Sequence, residues 1–145
     1  LVLSALLTWC YTAWLRMTEA DSNSGKVVAL FSRQIRSLTD HEFYGALAEV
    51  SGPSIVFFTK PGCSSCHLWK RLLDELLQLR SDIHVFQVDA EQNMALSHEY
   101  ELFHLPALFL FVDGEFHREL QSEASLSQLQ ATLDVALNSP AEEAP

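Results

Sequence analysis

Residues 54–66 read SIVFFTKPGCSSC, and this stretch decides the fold. Its first half, Ser54 to Thr59, is a continuous apolar run rich in β-formers and bounded by turn residues. Such a run predicts a buried central strand. Lys60-Pro61-Gly62 predicts a loop. From Cys63 to Arg80 the apolar spacing changes to that of a helix. Cys66, Trp69, Leu72, Leu73, Leu76 and Leu77 share one face, and His67, Lys70, Arg71, Asp74 and Gln78 share the other. A strand therefore runs through a short loop into a helix whose first turn carries a C-x-x-C pair.

Upstream, Val27 to Phe31 and Ile35 to Leu38 are short apolar runs, and either suits an edge strand. Thr39 and Glu42 have the spacing of a capping box, which predicts a helix to about Val50. Ser51-Gly52-Pro53 stops it. Downstream, Ile83 to Val88 reads as a second strand parallel to the first, because a helix joins them. Glu91 to Glu101 reads as a polar helix with Met94, Ala95 and Tyr100 available for burial. Ala107 to Val112 is a strong strand with Pro106 just before it. Asp113-Gly114 is a hairpin turn, so Glu115 to Leu120 pairs back antiparallel. Ser125 caps a last amphipathic helix through Leu137. Residues 139–145 read as a disordered acidic tail, and no internal repeat is present.

The cysteine pair carries the chemistry. Only a thiolate attacks a disulfide, so an attacking cysteine needs its thiol acidified. A helix N-terminus supplies free N–H groups and the positive end of the macrodipole. Cys63 stands at that position, and Cys66 lies one turn further on, close enough to bond with it. The apolar stripe includes Cys66 and omits Cys63. Cys63 is thus expected to be the exposed attacker and Cys66 the shielded resolver of a mixed disulfide. Ser64 and Ser65 offer hydrogen-bond donors to the Cys63 thiolate, which would make the pair more oxidising. His67, four residues beyond Cys63, could lower its thiol pKa as an imidazolium; the plainer reading is a solvent-facing histidine on the polar stripe. Trp69 reads as packing. The remaining histidines lack ligand spacing, although His104 is close to Pro106 in sequence.

Residues from about Leu38 to Leu137 resemble the thioredoxin family. LTDHEF (38–43) is similar to the family's approach to its first helix, and SIVFFTKPGCSSC to the strand leading to its dithiol. LLDEL (72–76) matches the following helix. QVDAEQN (87–93) and EYELFHLPALFLFVDGE (99–115) resemble its Val-Asp-x-Asp/Glu-x-Asn and Pro–strand–turn segments. The resemblance implies an α/β thioredoxin fold, with a central mixed sheet of four to five strands flanked by helices. It further implies a cis peptide at Leu105–Pro106 beside the dithiol, with the Leu105 backbone pairing with substrate. The implied activity is protein thiol–disulfide exchange in cell redox homeostasis. Its partners would be disulfide-containing proteins and a recycling reductase or oxidant. No cofactor is implied beyond the redox-active Cys63–Cys66 disulfide, and no metal.

The departures are specific. Cys-Ser-Ser-Cys replaces Cys-Gly-Pro-Cys. Gly62 stands where a Trp usually precedes the first cysteine, and TKPGC (59–63) looks more like a glutaredoxin. Phe57 and Gln87 occupy the places of a buried Asp and its Lys partner; the resemblance gives that Asp the deprotonation of the resolving cysteine. Arg71 replaces a helix-kinking Pro, and Glu101 replaces a Gly.

Composition bounds the alternatives. The 145 residues, 48% hydrophobic, suit one domain with a real core, and three cysteines exclude a disulfide scaffold. Net charge is −10, and residues 81–145 hold one basic and twelve acidic side chains, which would repel nucleic acid. The expected layout is an apolar segment and polar linker over 1–26, the thioredoxin-like domain over 27–138, and the tail. LVLSALLTWCYTAWL (1–15) would span about 22 Å as a helix, less than a bilayer core of roughly 30 Å. Three readings stand for it: the remnant of a signal or anchor helix, upstream sequence before a start at Met17, or a helix docked on the domain. Membrane contact is expected only through these residues, and Cys10 within them reads as a small hydrophobe. The expected location is cytoplasmic, or membrane-anchored facing the periplasm or an equivalent exported compartment if the segment is an exported anchor. Two rival functions remain. One is a thioredoxin-like binding module without turnover. The other is a c-type haem carrier, because Cys63–His67 matches C-x-x-C-H, with Met94 as a second ligand. The strand and Pro–strand–hairpin around the motif argue against haem. Zinc lacks a second ligand pair.

Overall fold

A computed structural model describes residues 34–145. Five strands and four helices follow in the order β1 (Arg36–Leu38), α1 (Phe43–Ala48), β2 (Pro53–Thr59), α2 (Ser64–Leu79), β3 (His84–Asp89), α3 (Met94–Glu99), β4 (Ala107–Val112), β5 (Glu115–Glu119) and α4 (Leu126–Leu137). The strands form one mixed sheet in the order β1-β3-β2-β4-β5. β1 and β2 both run parallel to β3, while β4 runs antiparallel to β2 and to β5. The edge strand β1 comes from the Ile35–Leu38 run; Val27–Phe31 and the apolar segment 1–15 with Cys10 lie outside the described residues.

The pleat explains why β2 is apolar on both sides. Successive side chains point to opposite faces of a sheet. Ile55 and Phe57 enter one core with α2 and α4, where Leu73, Leu76, Leu129 and Leu133 are fully covered. Val56 and Phe58 enter the other with α1 and α3, against Phe43, Leu47, Leu96 and Tyr100. The second core is aromatic: Tyr100 lies 5.3 Å from Phe109 and 5.8 Å from both Phe43 and Phe58, ring centre to ring centre. Such tilted pairs add attraction beyond area burial. β2 is central because it alone is hydrogen-bonded to both the parallel and the antiparallel half of the sheet.

Two turns fix the sheet's far end. Asp113 and Gly114 have φ of 52° and 82°, the left-handed pair that a tight hairpin requires. A Cβ on Gly114 would come 3.0 Å from the Leu47 carbonyl oxygen, so glycine is needed there for space as well. Asp113 N donates to Gly52 O at 3.0 Å, and Gly52 N donates to Asp113 Oδ1 at 2.7 Å, tying the hairpin to the start of β2.

Three expectations need correction. No capping box forms. Asp40 N donates to Asn93 Oδ1 at 2.9 Å, and Glu42 N donates to Thr39 O at 3.2 Å, so residues 39–42 make a turn and α1 starts at Phe43. The polar helix is shorter than 91–101, and its buried residues are Leu96 and Tyr100 rather than Met94 and Ala95; Met94 is exposed. The acidic tail, expected to be disordered, is held against β5. Glu142 N donates to His117 O at 2.7 Å, and Arg118 donates to Pro140 O at 2.8 Å and meets Glu142 at 3.3 Å. No helix among the described residues is long and apolar enough to cross a membrane.

Candidate active site

The cysteine pair sits where β2 leaves the sheet. After Thr59 the chain turns through Lys60-Pro61-Gly62, with Gly62 at φ 72°. That left-handed conformation favours glycine, and the space around its Cα is otherwise open. Cys63 follows in extended conformation as the N-cap of α2. Its Sγ takes the role that a serine or aspartate oxygen has in other helices, accepting the Cys66 N–H at 3.2 Å. Cys66, one turn along, is disulfide-bonded to Cys63 with the Cα atoms 5.2 Å apart.

Burial orders the two sulfurs less sharply than the helical stripe suggests. Cys63 is 8% exposed and Cys66 3%. Cys63 is the more accessible of the two, but it is buried in the disulfide form rather than exposed as the stripe suggests. Ser65 Oγ lies 3.4 Å from Cys63 Sγ. Ser64 makes no hydrogen bond to either sulfur among the described residues, so only one of the two serines reaches the site. His67 is exposed, lines the cleft beside the disulfide and likewise has no hydrogen bond to a sulfur. Trp69 is buried in the α2 core, as packing predicts.

The opposite wall comes from the start of β4. Phe58 pairs with Ala107, so Leu105 and Pro106 leave the sheet at the same end as the dithiol loop. The Leu105–Pro106 peptide is cis. Leu105 packs against the core cluster that contains both cysteines. It makes no backbone hydrogen bond among the described residues. His104 is exposed and lines a separate groove with Tyr100 and Phe103.

Two uncharged side chains, Phe57 and Gln87, lie in the strands that carry the site. Phe57 is 1% exposed and pairs in register with Gln87. Both line a cavity of about 220 Å³ against the disulfide, together with Thr59, Lys60, Lys70 and Asp89. Gln87 Oε1 is buried without a hydrogen-bond partner. Asp89 Oδ1 accepts the N–H groups of Glu91 and Gln92 at 2.9 and 3.2 Å. The cavity itself was not legible from spacing. The small residues Thr59 and Gly62 at its rim are the only sequence signal for it.

A haem reading of Cys63–His67 finds no support in this geometry. The sulfurs are bonded to each other and covered by the core, and Met94 is exposed on another helix. Among the described residues no group of three or more His, Cys, Asp or Glu could hold a metal ion.

A mixed five-stranded sheet that delivers a dithiol to a helix N-terminus, opposite a cis-proline, defines an α/β redox domain. The Thioredoxin family model matches residues 34–135, and the chain belongs to the thioredoxin family. It is 29% identical over 99 residues to Thioredoxin 1 of Synechococcus elongatus, covering 68% of this chain and 92% of that protein. It is 28% identical over 104 residues to Thioredoxin of Pseudomonas aeruginosa, covering 71% and 96%. It is also 31% identical over 100 residues to Thioredoxin domain-containing protein 5 homolog of Drosophila melanogaster, covering 65% of this chain and 24% of that protein. Family and cysteine pair together support a thiol–disulfide oxidoreductase activity, in general on disulfide-containing substrates and with a reductase partner.

Proposed function

We propose that the chain reduces or exchanges disulfides in proteins, with Cys63 as nucleophile and Cys66 as resolver. The observation that carries this is the cap position of Cys63. Its sulfur accepts a main-chain N–H at the positive end of a 16-residue helix. A hydrogen bond and dipole of that kind favour thiolate over thiol. In the reduced protein the Cys63 thiolate attacks one sulfur of a substrate disulfide. The Cys63–substrate bond forms, the substrate S–S bond breaks, and one substrate thiolate leaves. Cys66 then loses its proton to that departing thiolate and attacks Cys63. The intramolecular disulfide forms, the Cys63–substrate bond breaks, and the second substrate sulfur leaves as a thiolate that takes a proton from solvent. Two electrons pass from the dithiol to the substrate, and a dithiol reductant restores the pair.

The Leu105 backbone is the proposed strand partner of the substrate segment, since its polar groups make no hydrogen bond among the described residues and Leu105 packs against the cluster that holds the cysteines. Insulin reduction with a dithiol donor tests the activity. Turnover should exceed that of a Cys63→Ser control severalfold. Equality with that control would instead favour a thioredoxin-like module that binds without turnover. Phe57 and Gln87 are the residues that keep this second reading open, because neither can take a proton from Cys66.

A further inference from the structure

The cavity beside the disulfide has a chemical character that the exchange reaction itself does not use. The described residues hold six lysines and arginines. Arg80 and Arg118 are engaged in ion pairs with acidic side chains. Of the other four, Lys60, Lys70 and Arg71 lie on the dithiol loop and its helix, and none has an ion-pair partner among the described residues. Lys60 and Lys70 line the cavity, as does His67. One carboxylate, Asp89, also lines it, with Oδ1 occupied by two backbone N–H groups. Against a chain charge of −10, this is a local reversal of sign. Phe57 and Gln87, both uncharged, also line the cavity.

We propose that this cavity is a substrate subsite that takes an acidic side chain lying close to the target cystine. The inference rests on the oxidoreductase reading, and it names the substrate class. Lys60 and Lys70 determine specificity: each meets the carboxylate as a mobile point charge. The protein's overall field repels acidic partners, so a preference for them must come from these nearby cations.

Two synthetic peptide disulfides test it, identical except for Asp/Glu or Lys residues beside the cystine. At low ionic strength the native protein should reduce the acidic peptide about five- to tenfold faster than the basic one, and added salt should erode that ratio. In Lys60→Gln/Lys70→Gln the ratio should fall to parity or below. The ratio cancels any change in Cys63 reactivity, which lysine removal also alters. Equal rates in the native protein, or a ratio unchanged in the double variant, would overturn the proposal. If neither peptide is turned over beyond a Cys63→Ser control, the oxidoreductase reading fails instead. Calorimetric binding of cysteine-free versions of the two peptides then decides the subsite: tighter acidic binding that the double variant loses supports it, and equal binding overturns it.

Discussion

At the residue scale, Cys63 matters through what its sulfur accepts. Two donors reach it, the Cys66 N–H and the Ser65 hydroxyl. Both bonds strengthen when the sulfur becomes a thiolate, so both stabilise the reduced pair. Ser65→Ala should therefore make the couple more reducing by about 10–30 mV, measured by equilibration with glutathione. Ser64→Ala should leave the potential unchanged, and a shift equal to that of Ser65→Ala would contradict the assignment. His67→Ala should have less effect than Ser65→Ala, because the imidazole has no hydrogen bond to either sulfur. The spacing of the two cysteines on a helical start already indicates which one caps the helix. Which serine turns toward the sulfur depends on side-chain directions in the first turn, and spacing does not encode those.

At the element scale, strand assignments follow from the pleat. Ile55 with Phe57 and Val56 with Phe58 fill two different cores, and no other placement of SIVFFT hides all four. The helix limits were less legible because distant groups set them. Asn93, 5% exposed, accepts the Asp40 N–H and donates from Nδ2 to Asp89 O at 2.8 Å. That long-range clamp holds residues 39–42 in a turn where local spacing suggests a cap. It also fixes the phase of α3, so that Leu96 and Tyr100 face inward. Just after α3, Glu101 has φ 47°, in the left-handed region. A side chain there costs about 1 kcal/mol relative to glycine. Glu101→Gly should thus raise the midpoint of denaturant unfolding, equivalent to about 0.5–1 kcal/mol. An unchanged or lowered midpoint would contradict the strain.

At the scale of the whole molecule, a few ion pairs join parts that are distant in sequence. Arg80, at the end of α2, donates to Asp82 before β3 and to Asp134 on α4, each at 2.8 Å. The hydrogen bond from Arg80 holds the Asp82 carboxyl below its ordinary value of 3.8. A carboxyl depressed in the folded state binds fewer protons there than in the unfolded chain. Its contribution is fully present above the ordinary value and is lost as pH falls through and below it. The pair is partly exposed, so solvent reduces its worth. Arg80→Met should lower the melting temperature at pH 7 and have progressively less effect from pH 4 downward. A pH-independent difference would assign Arg80 a packing role instead. The tail was the part of the architecture least legible in sequence. Its composition reads as solvated, yet Arg118 and the His117 carbonyl supply partners that only the folded β5 presents. The order of strands, the dithiol and its opposing proline were legible because each carries a local signal; the cavity and the tail contacts arise only when separate segments meet. The separation of roles between the two cysteines is most directly tested by trapping. Reduced Cys66→Ser and Cys63→Ser proteins would each be mixed with a disulfide-bonded protein substrate and examined by intact mass. Cys66→Ser should accumulate a mixed disulfide on Cys63, and Cys63→Ser should not. Trapping on Cys66 alone, or equally on both, would contradict the account.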